Sequence, residues 1–299
     1  MQVIVNILNS YKRGCSMETE IREDILNLIE KISPQGRNFV NEALNDNMVT
    51  VFYYNKSSDD HGVFCIAENN DCNIAYFSFL DEPSKEKCND LIMLKMKPFI
   101  DEVNEKELCF NVYGKNIEVI EFVQNLGFKV DMEGYHLFYN RQEAPVISQS
   151  ELIEKQFEDS MVDQLVELFD KGYFQLNKDN GWQTDWHYTN TKVFQAGLQE
   201  KVRDDEFRSF WIGNQLVGAY IIDENYIRDI VVSPEYQNRG YGSTILAHCI
   251  RHMIENKNVK KVCLRITKSN LRAKKLYEKN HFEELACFAE HTFISKINT

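Results

Sequence analysis

VVSPEYQNRGYGSTIL, residues 231–246, begins as a β-branched strand, ends that strand at Pro234, crosses a polar turn and enters an apolar run at helical spacing near Gly242. Gly240 and Gly242 keep side chains away from the first backbone N–H groups of the helix. Those groups lack internal partners, and the helix dipole adds partial positive charge. Arg239 can add charge-assisted contacts. The stretch therefore has the chemistry of an anion cradle, suited to phosphate or pyrophosphate. It is neither of two common glycine loops: Ile245 stands where GxGxxG needs its third glycine, and GxxxxGK[ST] is not met. The plain alternative is a strand-to-helix turn that uses glycine only for geometry.

Outward from this loop, the elements alternate. FEDSMVDQLVELFDKGYF reads as an amphipathic helix, and GWQTDWHYTNTKVFQAGLQE as a loop leading into another. FRSFWIGNQLVGAYIIDE reads as a hairpin across Gly213-Asn214, followed by the strand YIRDIVV. After the loop come the helix STILAHCIRHMIENK, the strand KKVCLRIT, the short helix NLRAKKLYEKN and the final strand ELACFAEHTFI. Strands alternating with helices on a mixed sheet give a layered α/β (α+β) domain.

The upstream half carries an echo of this order. KELCFNVYGKNIEVIEFVQNLGF aligns without gaps to KKVCLRITKSNLRAKKLYEKNHF at an offset of 154, setting Cys109 under Cys263, Asn116 under Asn270 and Phe128 under Phe282. The same offset lays NDLIMLKMKPFIDEV under STILAHCIRHMIENK. Two copies of one fold are expected, joined near residues 141–151, with domains at 1–145 and 146–299. A length of 299 residues agrees with two cores.

Composition bounds the function. Hydrophobic content of 43% and charged content of 27% are those of an ordinary globular chain. No apolar run approaches the roughly 20 residues of a membrane span, and no secretory leader is read at the start, where METEIREDILNLIEKI suggests Met17 as an alternative first residue to Met1. The eight cysteines are scattered, without CxxC pairs, so neither a metal site nor a disulfide framework is expected, and a cytoplasmic location is. A net charge of −12 disfavours nucleic acid and anionic membranes.

VxPxxQxxGxG from Val232 to Gly242, with Gln237, Gly240 and Gly242 in place, resembles the acyl-CoA signature of the GNAT superfamily of N-acetyltransferases. NxxAxxLYxxxxF, with Asn270, Ala273, Leu276, Tyr277 and Phe282, resembles its second signature, in the right order and at the right distance. The resemblance covers roughly residues 157–293. One position departs from it: His281 stands where the family usually has glycine before the closing phenylalanine. Local strain is expected there, because the position commonly needs positive φ. The upstream copy keeps glycine, Gly127.

The resemblance implies two tandem GNAT-like domains, each a mixed, mostly antiparallel sheet flanked by helices, and acetyl transfer from acetyl-CoA to an amine by direct attack in a ternary complex. It implies that Ile230, Val231 and Val232 run beside the pantetheine arm. A strand bulge in the family aims a backbone N–H at the thioester oxygen, and this N–H is expected near Val232. Gln237, Asn238, Arg239, Gly240, Tyr241, Gly242 and Ser243 are expected at the pyrophosphate, and Asn270 as a helix cap, a coenzyme contact or both. Tyr277 matches the family's general acid, able to give a proton or a hydrogen bond to the departing thiolate; the alternative is core packing. Asp229 is the first candidate base, with Glu224 and Asp223 behind it. Trp182, Asp185, Trp186 and Tyr188 are candidates for cation–π and charge contacts with the acceptor, and His291 and Glu290 are weaker ones.

At the 154-residue offset, Tyr277 falls on Val123, Gly240 on Glu86 and Gly242 on Cys88, within DEPSKEKCND. An acidic turn without glycine repels a pyrophosphate, so the upstream copy is expected to be a non-catalytic relative of the downstream one. The function expected is acetylation of a small-molecule amine by a monomer or homodimer, with no metal. Acetylation of proteins or peptides, and an acyl-CoA sensor without turnover, stand as alternatives.

Overall fold

The computed structural model describes residues 19–69, 71–101, 107–147 and 150–293; the question of Met1 or Met17 lies outside them. The chain forms two compact units, Met1–His136 with Leu285–Thr299, and Leu137–Glu284.

In the first unit, helices α1 (Thr19–Glu30) and α2 (Pro34–Asn45) precede strands β1 (Val49–Ser57), β2 (Asp60–Glu68) and β3 (Cys72–Phe79). Helix α3 (Lys85–Asp101), strand β4 (Glu107–Tyr113), helix α4 (Ile117–Asn125) and strand β5 (Phe128–Tyr139) follow. β1, β2 and β3 pair antiparallel, and β3 pairs β4 in parallel. Because strand side chains alternate between faces, β2 feeds two cores. Val63, Cys65 and Ala67 pack with Ile25, Leu28 and Ile29 of α1, while Phe64 and Ile66 pack with Ile92 of α3 and Val119 of α4.

The second unit holds the short strand β6 (Ile153–Lys155), helices α5 (Val162–Asn180), α6 (Trp186–Thr189) and α7 (Thr191–Arg203), and strands β7 (Phe207–Ile212), β8 (Gln215–Asp223) and β9 (Tyr226–Val232). It continues with α8 (Tyr241–Arg251), β10 (Cys263–Thr267), α9 (Leu271–Lys279) and the start of β11 (Phe282–Phe293). β6 to β9 pair antiparallel in order, and β9 pairs β10 in parallel. The hairpin turn falls at Gly213-Asn214 as expected, with Gly213 at φ +57°. On one face of this sheet, Leu165, Leu168 and Phe169 of α5 pack with Phe194, Leu198, Ala219, Ile221 and Val231.

The repeat is visible element by element. Shifted by 154, Ile117–Asn125 becomes Leu271–Lys279, and Phe128–Tyr139 becomes Phe282–Phe293, at both ends of both elements. His281 adopts φ +67° and its counterpart Gly127 φ +103°, so the histidine holds the left-handed turn its position requires. The units do not follow the expected boundary at 145/146. Residues 288–292 of β11 pair antiparallel with residues 109–113 of β4, which places Leu285–Thr299 in the first unit. A final-strand pattern says that a strand exists but not which sheet it joins. Glu290 and His291, the weaker acceptor candidates, lie in the first unit, and His291 is fully buried beside the Phe110 carbonyl, Nδ1 at 3.1 Å.

Candidate active site

Two strands of the second unit separate where a ligand would enter. β9 pairs with β10 only at Tyr226–Cys263 and Ile227–Leu264, although β9 continues to Val232 and β10 to Thr267. The parting coincides with a bulge. Asp229 lies opposite Ile221 and Ile227 opposite Ile222, which leaves Arg228 as the extra residue on β9. A bulge bends its strand and ends regular pairing on its far side. It lies four residues before Val232, the position expected to aim the functional N–H. The ladder still orients that group. Ser233 N–H donates to Val217, and antiparallel bonds alternate, so Asp229 and Val231 turn their backbone groups to β8. The N–H groups of Ile230 and Val232 face the opened edge.

Below this edge the chain enters α8 through the glycine loop. Asn238 has φ +62° and Gly240 φ +91°. Left-handed residues among right-handed ones curl a backbone so that its N–H groups converge. Gly240 caps α8, and its carbonyl accepts from Ser243 and Thr244. Among the described residues none accepts from the N–H groups of Asn238 to Gly242, as expected at a helix start. A Cβ on Gly240 would meet nothing within 4 Å, and one on Gly242 only Leu276 and Val232 at 3.6 Å or more. The space at Gly240 is open, and the space at Gly242 takes a Cβ at ordinary contact distance.

The other expected coenzyme residues buttress this loop. Gln237 turns back and donates to the Val232 carbonyl at 3.0 Å. Ser243 Oγ accepts from Asn280 at 3.2 Å, which ties α8 to the end of α9. The Arg239 guanidinium lies over the Tyr236 ring at 5.6 Å, and the Tyr241 hydroxyl donates to Glu151. Asn270 caps α9 by accepting from Ala273 N–H at 3.1 Å. A groove of about 710 Å³ flanks the loop between Lys171, Gln215, Ser233 and Arg239, but neither Asp229 nor Tyr277 lines it.

Tyr277 is 7% exposed, with its ring against Phe282 at 5.5 Å. Burial, with Cys249 and Asp229 nearby, holds its phenol above the ordinary tyrosine value. Asp229 is half-buried against α5, and its burial pushes its carboxyl up, while Arg228, the Tyr173 hydrogen bond and His187 oppose that rise. Tyr173 Oη donates to Asp229 Oδ1 at 3.1 Å, and Arg228 Nε lies 3.4 Å from Oδ2. Gly172 makes this approach possible, because a Cβ there would stand 2.3 Å from Val231 Cγ2.

Glu224 is not brought to this site. It occupies the turn between β8 and β9 at φ +53°, roughly 16 Å along the strand from Asp229. Asp223 pairs with Lys201. Trp182, Trp186 and Tyr188 are exposed, Tyr188 by 74%, and Asp185 accepts from Gln183 at 3.0 Å. Three residues that sequence reasoning missed stand close by. Tyr173 is one; the others are Asp170 and His187, joined by a 2.6 Å contact from Nδ1. Asp170 also accepts from the backbone N–H groups of His187 and Tyr188, which fixes α6 to α5. The signal for Tyr173 was Gly172, a glycine inside a helical pattern that marks a close approach.

The first unit shows the same positions closed. β3 and β4 pair over six consecutive positions, Cys72–Glu107 to Phe77–Val112, and β2–β3 runs without a bulge. Asn116, fully buried, accepts from Phe79 N–H at 3.0 Å and donates to its carbonyl at 2.9 Å. The helix starts are also occupied by the chain's own groups: Ser84 Oγ accepts from Lys87 N–H, and Glu82 from Glu118 N–H.

Residues 162–282 match the model of the acetyltransferase (GNAT) family, and the second unit carries a domain of this family of acyl-CoA-dependent N-acyltransferases. No curated protein matches the sequence. Among solved structures, the chain is similar to a GCN5-related N-acetyltransferase from Sphaerobacter thermophilus, with 11% identity, 93% of each chain covered and a TM-score of 0.49. It is similar to a tandem GNAT protein from the clavulanic acid biosynthesis pathway, with 11% identity, 93% of this chain and 96% of that one covered and a TM-score of 0.40. A PaiA N-acetyltransferase from Thermoplasma acidophilum, in complex with coenzyme A, matches at 15% identity over 48% of this chain and 100% of its own, with a TM-score of 0.38.

Among the described residues, no group of three or more His, Cys, Asp or Glu side chains is placed to hold a metal ion. No helix among them is long and apolar enough to cross a membrane, and no disulfide links the described cysteines.

Proposed function

We propose that the second unit transfers the acetyl group of acetyl-CoA to a primary amine of a small molecule, by direct attack with both substrates bound. The observation that carries this reading is the parting of β9 from β10 beyond Ile227 and Leu264, on the strand that leads into the glycine loop. It leaves one open strand edge for an extended amide chain and one helix start for a diphosphate.

Acetyl-CoA supplies an acetyl group activated as a thioester, which ends on the amine nitrogen as the sulfur leaves. The N–H groups of Asn238 to Gly242 hold the diphosphate, and the β9 edge pairs with the pantetheine amides. The Val232 N–H, turned to that edge, stabilises negative charge developing on the acyl oxygen. Asp229 accepts the proton that the acceptor's ammonium group must lose before the amine can attack, and burial, which raises its carboxyl, favours that acceptance. Of the two protons the nitrogen loses, one passes through Asp229 to solvent and the other ends on sulfur. Tyr277 donates a hydrogen bond to the sulfur and does not surrender its proton. A coenzyme thiol, at about 8.5, is a stronger acid than a phenol held above its ordinary value. Trp182, Trp186, Tyr188 and Asp185 form the acceptor's rim. The first unit, with its strands paired over six positions and Asn116 sealing their end, binds no coenzyme. The thiol cysteines suit the reducing cytoplasm.

The test is thiol release from acetyl-CoA with polyamines, aminoglycosides, amino acids and peptides as acceptors. Turnover on one small-amine class supports the reading. Turnover confined to peptides moves the acceptor to proteins, and tight acetyl-CoA binding without turnover on any amine makes the unit a sensor.

A further inference from the structure

We infer that Tyr173 is a positioning residue for the transfer: by donating its phenol hydrogen to Asp229 Oδ1, it fixes the orientation in which that carboxylate meets the acceptor amine. This rests on the assignment of Asp229 as proton acceptor and goes beyond it.

Both carboxylate oxygens of Asp229 have partners, but of different kinds. Oδ2 faces Arg228 Nε at 3.4 Å, and the Arg228 side chain is 59% exposed. A long, solvated side chain at that distance sets direction poorly. Oδ1 accepts from Tyr173 at 3.1 Å. That ring is braced: it packs edge-on against Phe169 at 6.1 Å, and Gly172 beside it lets α5 lie against Val231. The Tyr173 hydroxyl also lies 3.5 Å from the Ile230 carbonyl, so a single phenol spans the carboxylate and the strand that carries it. Strand β9 is irregular at this point, with Arg228 bulged, and backbone pairing alone therefore does not fix where the Asp229 side chain points.

The charged and titratable groups around Asp229 come from four elements. Arg228 is on its own strand, Tyr173 on α5, His187 on α6 and Tyr277 on α9. His187 is held by Asp170. Tyr173 is the one that donates a hydrogen bond to the carboxylate, and donation to the ionised form favours that form. Its removal leaves the carboxyl both less directed and harder to ionise.

The decisive variant is Tyr173→Phe, which keeps the ring against Phe169. In the full-length protein labelled with carboxyl-13C aspartate, the Asp229 resonance is assigned by its loss in Asp229→Asn. Its titration midpoint rises by about one pH unit in Tyr173→Phe. With acetyl-CoA and the amine selected by the thiol-release panel, the acid limb of kcat/KM moves up by the same amount, while KM for acetyl-CoA is unchanged. A midpoint and an acid limb that both stay at their wild-type positions overturn the role of Tyr173. If Asp229→Asn keeps wild-type kcat and its acid limb, the assignment of Asp229 fails instead, and that result is read without the tyrosine variant.

Discussion

Substitution of the two loop glycines separates what the fold needs from what the ligand needs. Gly242 lies in the first turn of α8, and a Cβ there would touch Leu276 Cδ2 at 3.6 Å and Val232 Cγ2 at 3.9 Å, both ordinary contacts. Nothing in the protein requires glycine at that position. Alanine removes backbone entropy from the unfolded chain and favours helix by up to about 1 kcal/mol. Gly242→Ala therefore keeps or raises the melting temperature, by up to about 2–4 °C for a unit of this size. The same methyl stands beside the residue's own N–H, one of those proposed to hold the diphosphate. Moving a charged ligand off those donors forfeits at least one charge-assisted bond, a loss of about tenfold or more in acetyl-CoA affinity. Gly240→Ala behaves differently. Its Cβ meets nothing within 4 Å, but its φ of +91° is costly for any other residue, by about 1–2 kcal/mol. That variant loses stability and affinity together. Calorimetric titration with acetyl-CoA, beside a thermal melt of each variant without ligand, reads both quantities. A Gly242→Ala protein that binds acetyl-CoA like wild type, with unchanged or higher melting temperature, refutes the cradle.

Three further outcomes follow from the same geometry. Tyr277→Phe keeps the packing on Phe282 but loses the donor at the sulfur, so kcat falls about 10- to 100-fold with acetyl-CoA affinity unchanged; an unchanged kcat would make Tyr277 a packing residue. Burial raises the Asp229 carboxyl above its unfolded value, so the folded state holds its proton more tightly. The ionised form is a liability to stability that is fully present above the folded value and relieved below the unfolded one. Asp229→Asn is therefore expected to melt higher than wild type at neutral pH while losing activity, and a lower melt contradicts the sign. Asn116→Ala strips two hydrogen bonds from the buried Phe79 backbone and should cost about 2–4 kcal/mol in chemical denaturation, without changing acetyl-CoA affinity. Weakened acetyl-CoA binding in that variant would contradict the assignment of the coenzyme to the second unit.

What was legible in the sequence was whatever depends on local pattern. The glycine pair, the proline that ends β9 and the helical spacing after Gly242 placed the loop. A repeat offset read from a few matched residues located α4 against α9, and β5 against β11, to the residue. Properties that arise only when elements meet were not legible. The YIRDIVV pattern contains no sign that Arg228 bulges or that pairing with β10 stops at Ile227. Glu224 and Asp229 look equivalent as acidic residues near one strand, yet a turn and a helix face separate their environments. Tyr173, Asp170 and His187 meet through the packing of α5 and α6, and their spacing in the chain follows no motif. The final strand reads as a strand in either unit, and its partner, β4, lies more than 170 residues upstream in the chain.

The most direct measurement is a crystal structure of the full-length protein grown with acetyl-CoA. The account predicts one molecule per chain, its diphosphate on the backbone N–H groups of Asn238 to Gly242 and its pantetheine amides along the open edge of β9. A coenzyme bound in the first unit, or elsewhere on the second with that helix start left bare, would contradict it.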